Sequence, residues 1–530
     1  MDLIYIDPPF DVGADFTMDV PVGDGRETVG KDQSTLEMVA YRDMWGKGTD
    51  SYLHMMAERL SLMRDLLSDT GSIYVHCDYR ADGFLRLLLD EIFGSERFVS
   101  EIIWYYTNKY GANSAAFDSF HNTLLLYSKG NKFTYNPQYI PVKEPRKQPF
   151  RKWNKELGKN EWQRDDNGKY IYVDSTEKEV ADVWEIPVIN PMADERLGYA
   201  SQKPQALLER IIKSSSNEDN LVGDFFCGSG TTGAVAERLY RRWIMADLGR
   251  FAIHTSRKRL IDIQRDLDAE GKPYRAFDVH NLGRYERQWW QKASLQGADQ
   301  EHRRVVLEFF QAETLSNAPS PLIHGRKGSA FCHVDGIDSM FSRREAGAVA
   351  KAVAASGGRE CYCLAWEFEM DLRLTVAALE QELGVKLKLI QIPREIMERN
   401  RTSPPPFLEM ALLEAEPVYR AAKGERVVDI KLANFLPSLA EVPTKELEAL
   451  KERAVKSGFD FIDFWAVDFD WHPDKPFNHH WQDYRTRRDR SLKTVSEAGH
   501  HYDKPGSYTA CVKVVDVFGC DTSITVEVKV

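Results

Sequence analysis

Residues 220 to 242 read Asn-Leu-Val-Gly-Asp-Phe-Phe-Cys-Gly-Ser-Gly-Thr-Thr-Gly-Ala-Val-Ala-Glu-Arg-Leu-Tyr-Arg-Arg. A short apolar strand runs through a glycine turn straight into a helix from about Thr231. That arrangement opens a βαβ unit, so it commits the chain to parallel strands with helices packed on the sheet. Gly228, Gly230 and Gly233 satisfy a G-x-G-x-x-G spacing, and Asp247 follows 17 residues after Gly230. The glycines let backbone approach a ligand, and an acid at the next strand end suits ribose hydroxyls. This pattern alone does not separate a nicotinamide dinucleotide from S-adenosylmethionine. Gly-Lys-Ser/Thr is missing from the turn, which excludes a P-loop.

The first ten residues add a second constraint. Leu3 to Ile6 has the character of a fully buried parallel strand, and Asp7-Pro8-Pro9-Phe10 ends it. Each proline fixes φ and lacks an N–H, so the chain leaves the strand in an extended bend. Asp7, the Pro8 carbonyl and Phe10 are therefore expected at the carboxyl end of a central strand, where open α/β sheets bind ligands. Two acceptors beside a flat apolar ring suit a planar amino-purine whose exocyclic amine must be polarised. The plainer reading is a strand that ends in a Pro-Pro turn.

Taken together, Asp-Pro-Pro-Phe at 7–10, Ser-Gln-Lys-Pro at 201–204 and Asp-Phe-Phe-Cys-Gly-Ser-Gly-Thr-Thr at 224–232 resemble the amino-group DNA methyltransferases. The catalytic motif precedes the cofactor motif, as in their permuted β class, which includes modification subunits of type III restriction systems. Gly-Ser-Ile-Tyr-Val-His at 71–76, His-Asn-Thr-Leu-Leu-Leu-Tyr-Ser-Lys at 121–129 and Glu-Arg-Leu-Gly-Tyr at 195–199 are similar to the same family. The resemblance covers about residues 1 to 290. It implies a Rossmann-like, S-adenosylmethionine-dependent methyltransferase domain acting on the N6 amine of adenine in double-stranded DNA, within a restriction or defence system. An aspartate opening the catalytic motif suggests adenine N6 in this family, and cytosine N4 is the alternative.

By the same resemblance Asp7, Pro8, Pro9 and Phe10 carry catalysis. Cofactor contacts fall on Asp224, Phe226, Gly228, Gly230 and Thr231, with Asp247 on the ribose and Lys203 and Pro204 bordering the methionine end. The chemistry agrees with these residue types. An adenine amine is conjugated with its ring, so two acceptors must draw its lone pair out while it attacks a methyl carbon held in line. Phe10 would stack on a base already swung out of the duplex. Methylation at a ring carbon of cytosine would need a nucleophilic cysteine, and the chain has no Pro-Cys dipeptide. Two departures stand out. Phe225 replaces the proline usual after the loop's first aspartate, and relatives carry an upstream strand and a Gly-Asp-Asn-type loop that this chain lacks. That start is expected to leave a sheet edge uncovered and the cofactor wall incomplete.

A net charge of −11 does not suggest a DNA binder, but local balance matters more. Lys129 to Arg164 holds ten Lys/Arg against three Glu, interleaved with Phe133, Tyr135, Tyr139, Phe150, Trp153 and Trp162. Cations for phosphates and rings for bases make this stretch the expected DNA contact, with Lys143, Arg146, Lys147, Arg151, Lys152 and Trp153 as candidates. A solvated loop over a small aromatic core is the competing reading. Seven scattered cysteines, no long apolar run and no signal-like start imply reduced thiols, a cytoplasmic setting and no membrane partner.

The expected organisation is a methyltransferase domain over 1–292, with its basic target-recognition insert at about 129–190. A small α/β domain follows over 300–420, and then a β-rich, PKD- or immunoglobulin-like antiparallel sandwich over 425–530. Helices are expected at Ser51–Leu67, Asp82–Phe93 and Ala252–Leu267, and strands at Ser72–Cys77, Ile102–Tyr106 and Thr123–Tyr127. In the small domain, strands at Ala330–Val334, Glu360–Phe368 and Val385–Ile392 alternate with helices at Arg343–Ala355 and Asp371–Leu383. Tyr508, Ala510, Val512 and Val514 alternate with polar neighbours, then Ile524, Val526, Val528 and Val530 do the same, which predicts a hairpin. No metal site is expected, with Cys361 and Cys363 read as packing and the paired histidines at 479–480 and 500–501 as structural. The partners expected besides DNA are a helicase or restriction subunit and a second copy of the chain. A non-catalytic DNA-reading subunit is the alternative of another class, and the intact Asp7 to Phe10 segment argues against it. A nicotinamide oxidoreductase would leave that segment unexplained.

Overall fold

The computed structural model describes residues 1–9, 18–31, 49–109, 117–154, 159–199, 201–280, 299–369, 372–397, 411–422, 425–437, 457–472 and 475–530, with 287–288, 290–291, 295 and 407–409 between them. The chain divides into two compact units. The first is Met1–Val12, Met44–Asp247 and Thr255–Arg275; the second is Gly13–Asp43, Leu248–His254 and Ala276–Val530.

In the first unit the strands are β1 (Leu3–Ile6), β2 (Ser72–Cys77), β3 (Phe98–Tyr105) and β4 (His121–Ser128). Then come β5 (Tyr139–Pro149), β6 (Arg151–Asn154), β7 (Lys159–Trp162) and β8 (Tyr172–Glu179), and finally β9 (Val183–Glu185), β10 (Leu221–Asp224) and β11 (Arg242–Met245). Seven of them form one sheet in the order β9-β3-β4-β2-β1-β10-β11. β1 pairs parallel with β2 and with β10, and β10 pairs parallel with β11. β4 runs antiparallel to β2 and β3.

All four residues of β1 are buried, because both faces of the sheet are covered. Ile4 and Ile6 join one core with Met55, Met56, Leu60 and Met63 of helix α1 (Thr49–Leu66) and Leu85, Leu89 and Phe93 of α2 (Asp82–Phe93). Leu3 and Tyr5 join the other with Leu207, Leu208, Ile211 and Ile212 of α3 (Gln205–Ser215) and Val235 and Ala236 of α4 (Thr231–Arg238). This is the helix-covered α/β sheet that the strand–turn–helix segment implied. β2 and α2 match their expected limits, and α1 starts two residues earlier than expected. Its Met56, Leu60 and Met63, and Leu67 just past its end, are buried as the periodicity required, whereas Leu53 is only half-buried.

The basic insert is not a solvated loop. β5 and β8 form one antiparallel ribbon, and β6 and β7 form another. β8 is exposed along almost its whole length.

The second unit opens with a hairpin, Met18–Val22 against Glu27–Lys31, for which no element was expected. Its small α/β part has the central parallel strands β12 (Ala330–Val334), β13 (Glu360–Ala365) and β14 (Lys386–Gln391), linked by α5 (Arg343–Ala355) and α6 (Leu372–Leu383). The sheet is mixed rather than purely parallel, with Gly325–Lys327 and Leu408–Glu409 pairing antiparallel on its flanks. The expected domain break at 420–425 falls on a long hairpin, β15 (Leu412–Ala422) with β16 (Glu425–Leu436). Pro417 and the charges along β15 hid that strand from its pattern. β17 (Ile462–Asp468), β18 (Trp481–Tyr484), β19 (Ser507–Asp516) and β20 (Asp521–Lys529) form an antiparallel sheet in the order β18-β17-β19-β20. The β19–β20 hairpin is the one the alternation predicted.

One core joins this sheet to its neighbours. It holds Val20, Val22 and Val29 of the first hairpin, Val428, Ile430 and Phe435 of β16, and Trp465, Val467 and Val512 of the sheet. All seven cysteines are buried free thiols. Among the described residues no helix is long and apolar enough to cross a membrane.

Candidate active site

β1 and β10 are sheet neighbours, with Leu3 opposite Val222 and Ile4 opposite Gly223. Asp7, just past β1, and the glycine loop, just past β10, are therefore brought to the same edge of the sheet although they lie far apart in sequence. Parallel pairing alone achieves this, because both strands expose their carboxyl ends on one side.

Asp7 is partly buried and forms an ion pair with Lys203 through Oδ2. Its other oxygen, Oδ1, is buried without a hydrogen-bond partner and lies 3.7 Å from His76 Nδ1. Pro8 is buried and Pro9 half-buried. Phe10 lies outside the described residues. The Lys203 pairing is a finding the sequence did not predict, since Lys203 was expected to border the cofactor.

Behind Asp7 is a buried polar chain. The Tyr106 hydroxyl donates to Asn122 Oδ1, which turns the Asn122 amide nitrogen toward His76 Nε2 at 2.8 Å. His76 then carries its proton on Nδ1, 2.9 Å from the Tyr5 hydroxyl. Burial pushes His76 down to about 3, against the opposing pull of Asp7, so the imidazole is neutral. The chain supports Asp7 without putting a positive charge beside it.

The glycine loop is held from below. Asp224 is 3 % exposed, and it accepts from the Phe226 amide and the Thr232 hydroxyl. Burial raises it to about 7, with those two hydrogen bonds opposing. Asp224, expected as a cofactor contact, also fixes the loop's shape through these two hydrogen bonds. Phe226 is half-buried and packs toward the α1–α2 core. Gly228 and Gly230 have φ of +49° and +70°, where only glycine is free of strain. A Cβ on Gly230 would lie 2.5 Å from Ser256 Oγ, and one on Gly228 would lie 3.1 Å from the Tyr199 ring. The Gly228 amide donates to Asp247 Oδ2 at 2.8 Å, which ties the acid of the next strand to the loop.

Three further residues complete the support, and spacing alone had not singled them out. Arg259 is buried, lowered to about 10 by that burial, and donates to the Ser229 carbonyl and to Thr231 Oγ1 at 2.8 Å. Thr231 in turn donates to the Lys203 carbonyl. Ser256 donates to the Gly228 carbonyl at 3.0 Å. Glu195 accepts from the Gln205 amide at the start of α3, just after Pro204, and so anchors the segment that carries Lys203. The Glu-Arg-Leu-Gly-Tyr stretch was visible in the sequence, but its capping role needed the fold.

On the insert, Lys147, Arg151 and Lys152 are exposed. The side chains of Lys143, Arg146 and Trp153 lie outside the described residues. The Arg151 guanidinium stacks on Trp162 at 3.8 Å, and Arg164 stacks on Tyr170 at 4.2 Å. Tyr139, Trp162, Tyr170 and Tyr172 are each more than 40 % exposed, so these rings do not form the small core of the competing reading.

Residues 1–258, which contain Asp7, Lys203 and the glycine loop, match the family model described as DNA methylase, of the N6/N4 type. Over that stretch the chain is similar to the amino-group DNA methylases. The methylase part is 28 % identical over 306 residues to the Type II methyltransferase M.EcaI of Enterobacter cloacae, covering 48 % of this chain and 64 % of that protein. It is 26 % identical to the DNA adenine methyltransferase YhdJ of Escherichia coli, over 51 % of this chain and 79 % of that protein. To the Mod subunit of the type III restriction-modification enzyme StyLTI of Salmonella typhimurium it is 26 % identical, over 44 % and 45 %. The match thus spans less than two thirds of M.EcaI and under half of the Mod subunit.

Proposed function

We propose that this methylase transfers a methyl group from S-adenosylmethionine to the N6 amine of adenine in double-stranded DNA. The observation that carries the reading is the placement of Asp7 Oδ1, a buried acceptor with no hydrogen-bond partner, on the same sheet edge as the glycine loop. The loop's residues suit a cofactor: two positive-φ glycines, one with a neighbour too close for a Cβ and one with a tight neighbour, and an acid tied to the first of them. When bound there, S-adenosylmethionine supplies an electrophilic methyl group.

The chain's own residues do the rest. Lys203 holds Asp7 Oδ2, so Oδ1 and the Pro8 carbonyl are the two acceptors for the amine hydrogens. With both hydrogens bonded, the nitrogen lone pair leaves conjugation and points at the methyl carbon. As the amine bonded to the methyl carbon, the carbon–sulfur bond would break and leave a neutral thioether, and Asp7 would accept the amine proton before solvent takes it. A base inside the duplex cannot reach this pocket, so it must be swung out, and the exposed insert with Lys147, Arg151 and Lys152 holds the flanking backbone. The β-rich part of the second unit is an immunoglobulin- or PKD-like sandwich, and it contacts a restriction subunit. The resemblance to a Mod subunit supports that partner.

The test uses the full chain, methyl-labelled S-adenosylmethionine and mixed-sequence duplex DNA, followed by mass spectrometry of the nucleosides. Label on N6-methyladenine is the expected result. Label on N4-methylcytosine would keep the family and change the base, and no label on DNA would overturn the reading.

A further inference from the structure

The small α/β part of the second unit carries three ligand-type side chains at one point of its sheet. His333 is the penultimate residue of β12, Asp335 follows the end of that strand, and Glu345 sits in the first turn of α5. One ligand atom from each lies within 4.8 Å of the other two. His333 and Asp335 are each only 2 % exposed.

The protonation pattern is decided by the neighbours. His333 Nδ1 lies 2.8 Å from the Leu322 carbonyl, which can only accept, so the ring proton is on Nδ1. Nε2 makes no hydrogen bond and faces Glu345 Oε1 at 3.5 Å, so the neutral ring offers its lone pair there. Asp335 Oδ1 accepts from the Gly336 amide at 2.8 Å and the Ser339 hydroxyl at 2.6 Å, while Oδ2 is buried without a partner. One nitrogen and two carboxyl groups therefore converge, and contact with His333 holds the Glu345 carboxyl below its usual range. His324, whose ring centroid is 5.1 Å from that of His333, is already engaged. Its Nδ1 accepts from the Val334 amide, and its Nε2 faces the Pro321 carbonyl.

We propose that His333 Nε2, Asp335 Oδ2 and a Glu345 carboxylate oxygen bind a divalent transition cation of the zinc class. Two carboxylates and one neutral imidazole form a mixed nitrogen–oxygen set, which suits Zn²⁺, Co²⁺ or Mn²⁺ better than Ca²⁺ or Mg²⁺. Bonds of about 2.1 Å in a tetrahedron place ligand atoms about 3.4 Å apart, and the His333–Glu345 separation of 3.5 Å is already at that spacing. Hydrogen bonds from the ligands' far atoms to Leu322, Gly336 and Ser339 orient them, as the outer partners of metal ligands do. A dication also neutralises two carboxylates whose burial is otherwise unfavourable. It would tie the carboxyl end of β12 to the start of α5 and leave a fourth position open to water or a ligand.

The experiment strips the full chain with chelator and titrates it with Zn²⁺ by calorimetry and with Co²⁺ by visible absorption. One equivalent should bind, with the d–d bands of protein-bound Co²⁺ and a raised unfolding temperature. Glu345→Gln, a partly exposed position where the amide oxygen can still accept from the Ser342 N–H at the helix start, and Asp335→Asn should each weaken binding at least ~10-fold, with unchanged far-UV circular dichroism. His480→Ala should leave affinity unchanged. Failure of the stripped wild type to bind one equivalent would overturn the site, as would wild-type affinity in both carboxamide variants. Methyl transfer is scored separately, so this outcome is independent of the reaction proposed above.

Discussion

At the scale of single residues, the proposed reaction rests on one oxygen atom, Asp7 Oδ1. Asp7→Asn keeps the side chain's volume but replaces an acceptor with an NH₂ or weakens it to an amide oxygen. We expect the rate of methyl transfer to fall by about 10²–10³, the range for a positioned acid–base or electrostatic group. Binding of S-adenosylmethionine should stay within about twofold, read by calorimetry, and a rate within tenfold of wild type would refute the role. His76 gives a pH prediction. Its folded value of about 3 lies below the ordinary 6.5, so below pH 6.5 the unfolded chain takes up a proton that the folded chain refuses. Stability attributable to His76 is thus present above pH 6.5 and is lost as pH falls toward 3, at up to ~1.4 kcal/mol per pH unit. Denaturant midpoints of wild type and His76→Gln, compared from pH 7 to 4, should converge on acidification. Parallel curves would mean that His76 is protonated in the folded protein.

At the scale of elements, the glycine loop and the insert make separable predictions. Gly230→Ala puts a Cβ at φ +70° and 2.5 Å from Ser256 Oγ. A loss of about 1–3 kcal/mol in chemical unfolding is expected, together with weaker S-adenosylmethionine binding; an unchanged midpoint would show that the loop adapts. Replacing Lys147, Arg151 and Lys152 together by Ala should weaken DNA binding and flatten the log–log salt slope by about 2–3. An unchanged slope would remove the insert from the DNA interface. Both elements were legible to different degrees. β1 and β10 announce themselves because a short apolar run ends at an acid and a sharp turn, a local pattern that needs no partner to be recognised. The ribbons of the insert alternate charged, proline and aromatic residues on faces that are both open to water, so hydrophobic periodicity, which reports burial, had little to report there. His333, Asp335 and Glu345 left no signal either, since two come from one strand end and the third from the next helix, and only the crossover brings them together. The Asp7–Lys203 pair was hidden for the same reason. The family motifs named both residues, but their contact depends on how α3 is anchored by Glu195.

At the scale of the whole molecule, the chain does not pass through its two units in turn. It builds β1 in the first, contributes the Met18–Lys31 hairpin to the second, and returns to the first for α1. Val20, Val22 and Val29 of that hairpin share a core with β16, β17 and β19. A chain cut after residue 292 would keep the whole family match yet leave those valines without their core. We expect it to be cleaved by trypsin within residues 13–43 far faster than the full chain, and equal protection would show that the hairpin folds without the β sheet. The expected division into three consecutive domains did not include this excursion, because Met-Asp-Val-Pro-Val has neither the length nor the alternation that marks a strand.

The excursion also bears on inheritance. A gene encoding consecutive domains can exchange its tail at one breakpoint, but here a single crossover downstream of the methylase would strand a hairpin whose packing partners had been replaced. New tails could be acquired only if they accepted Val20, Val22 and Val29, or if the segment after Asp7 were replaced at the same time. The segments that encode the Met18–Lys31 hairpin and the β-rich part are therefore expected to diverge as a linked pair.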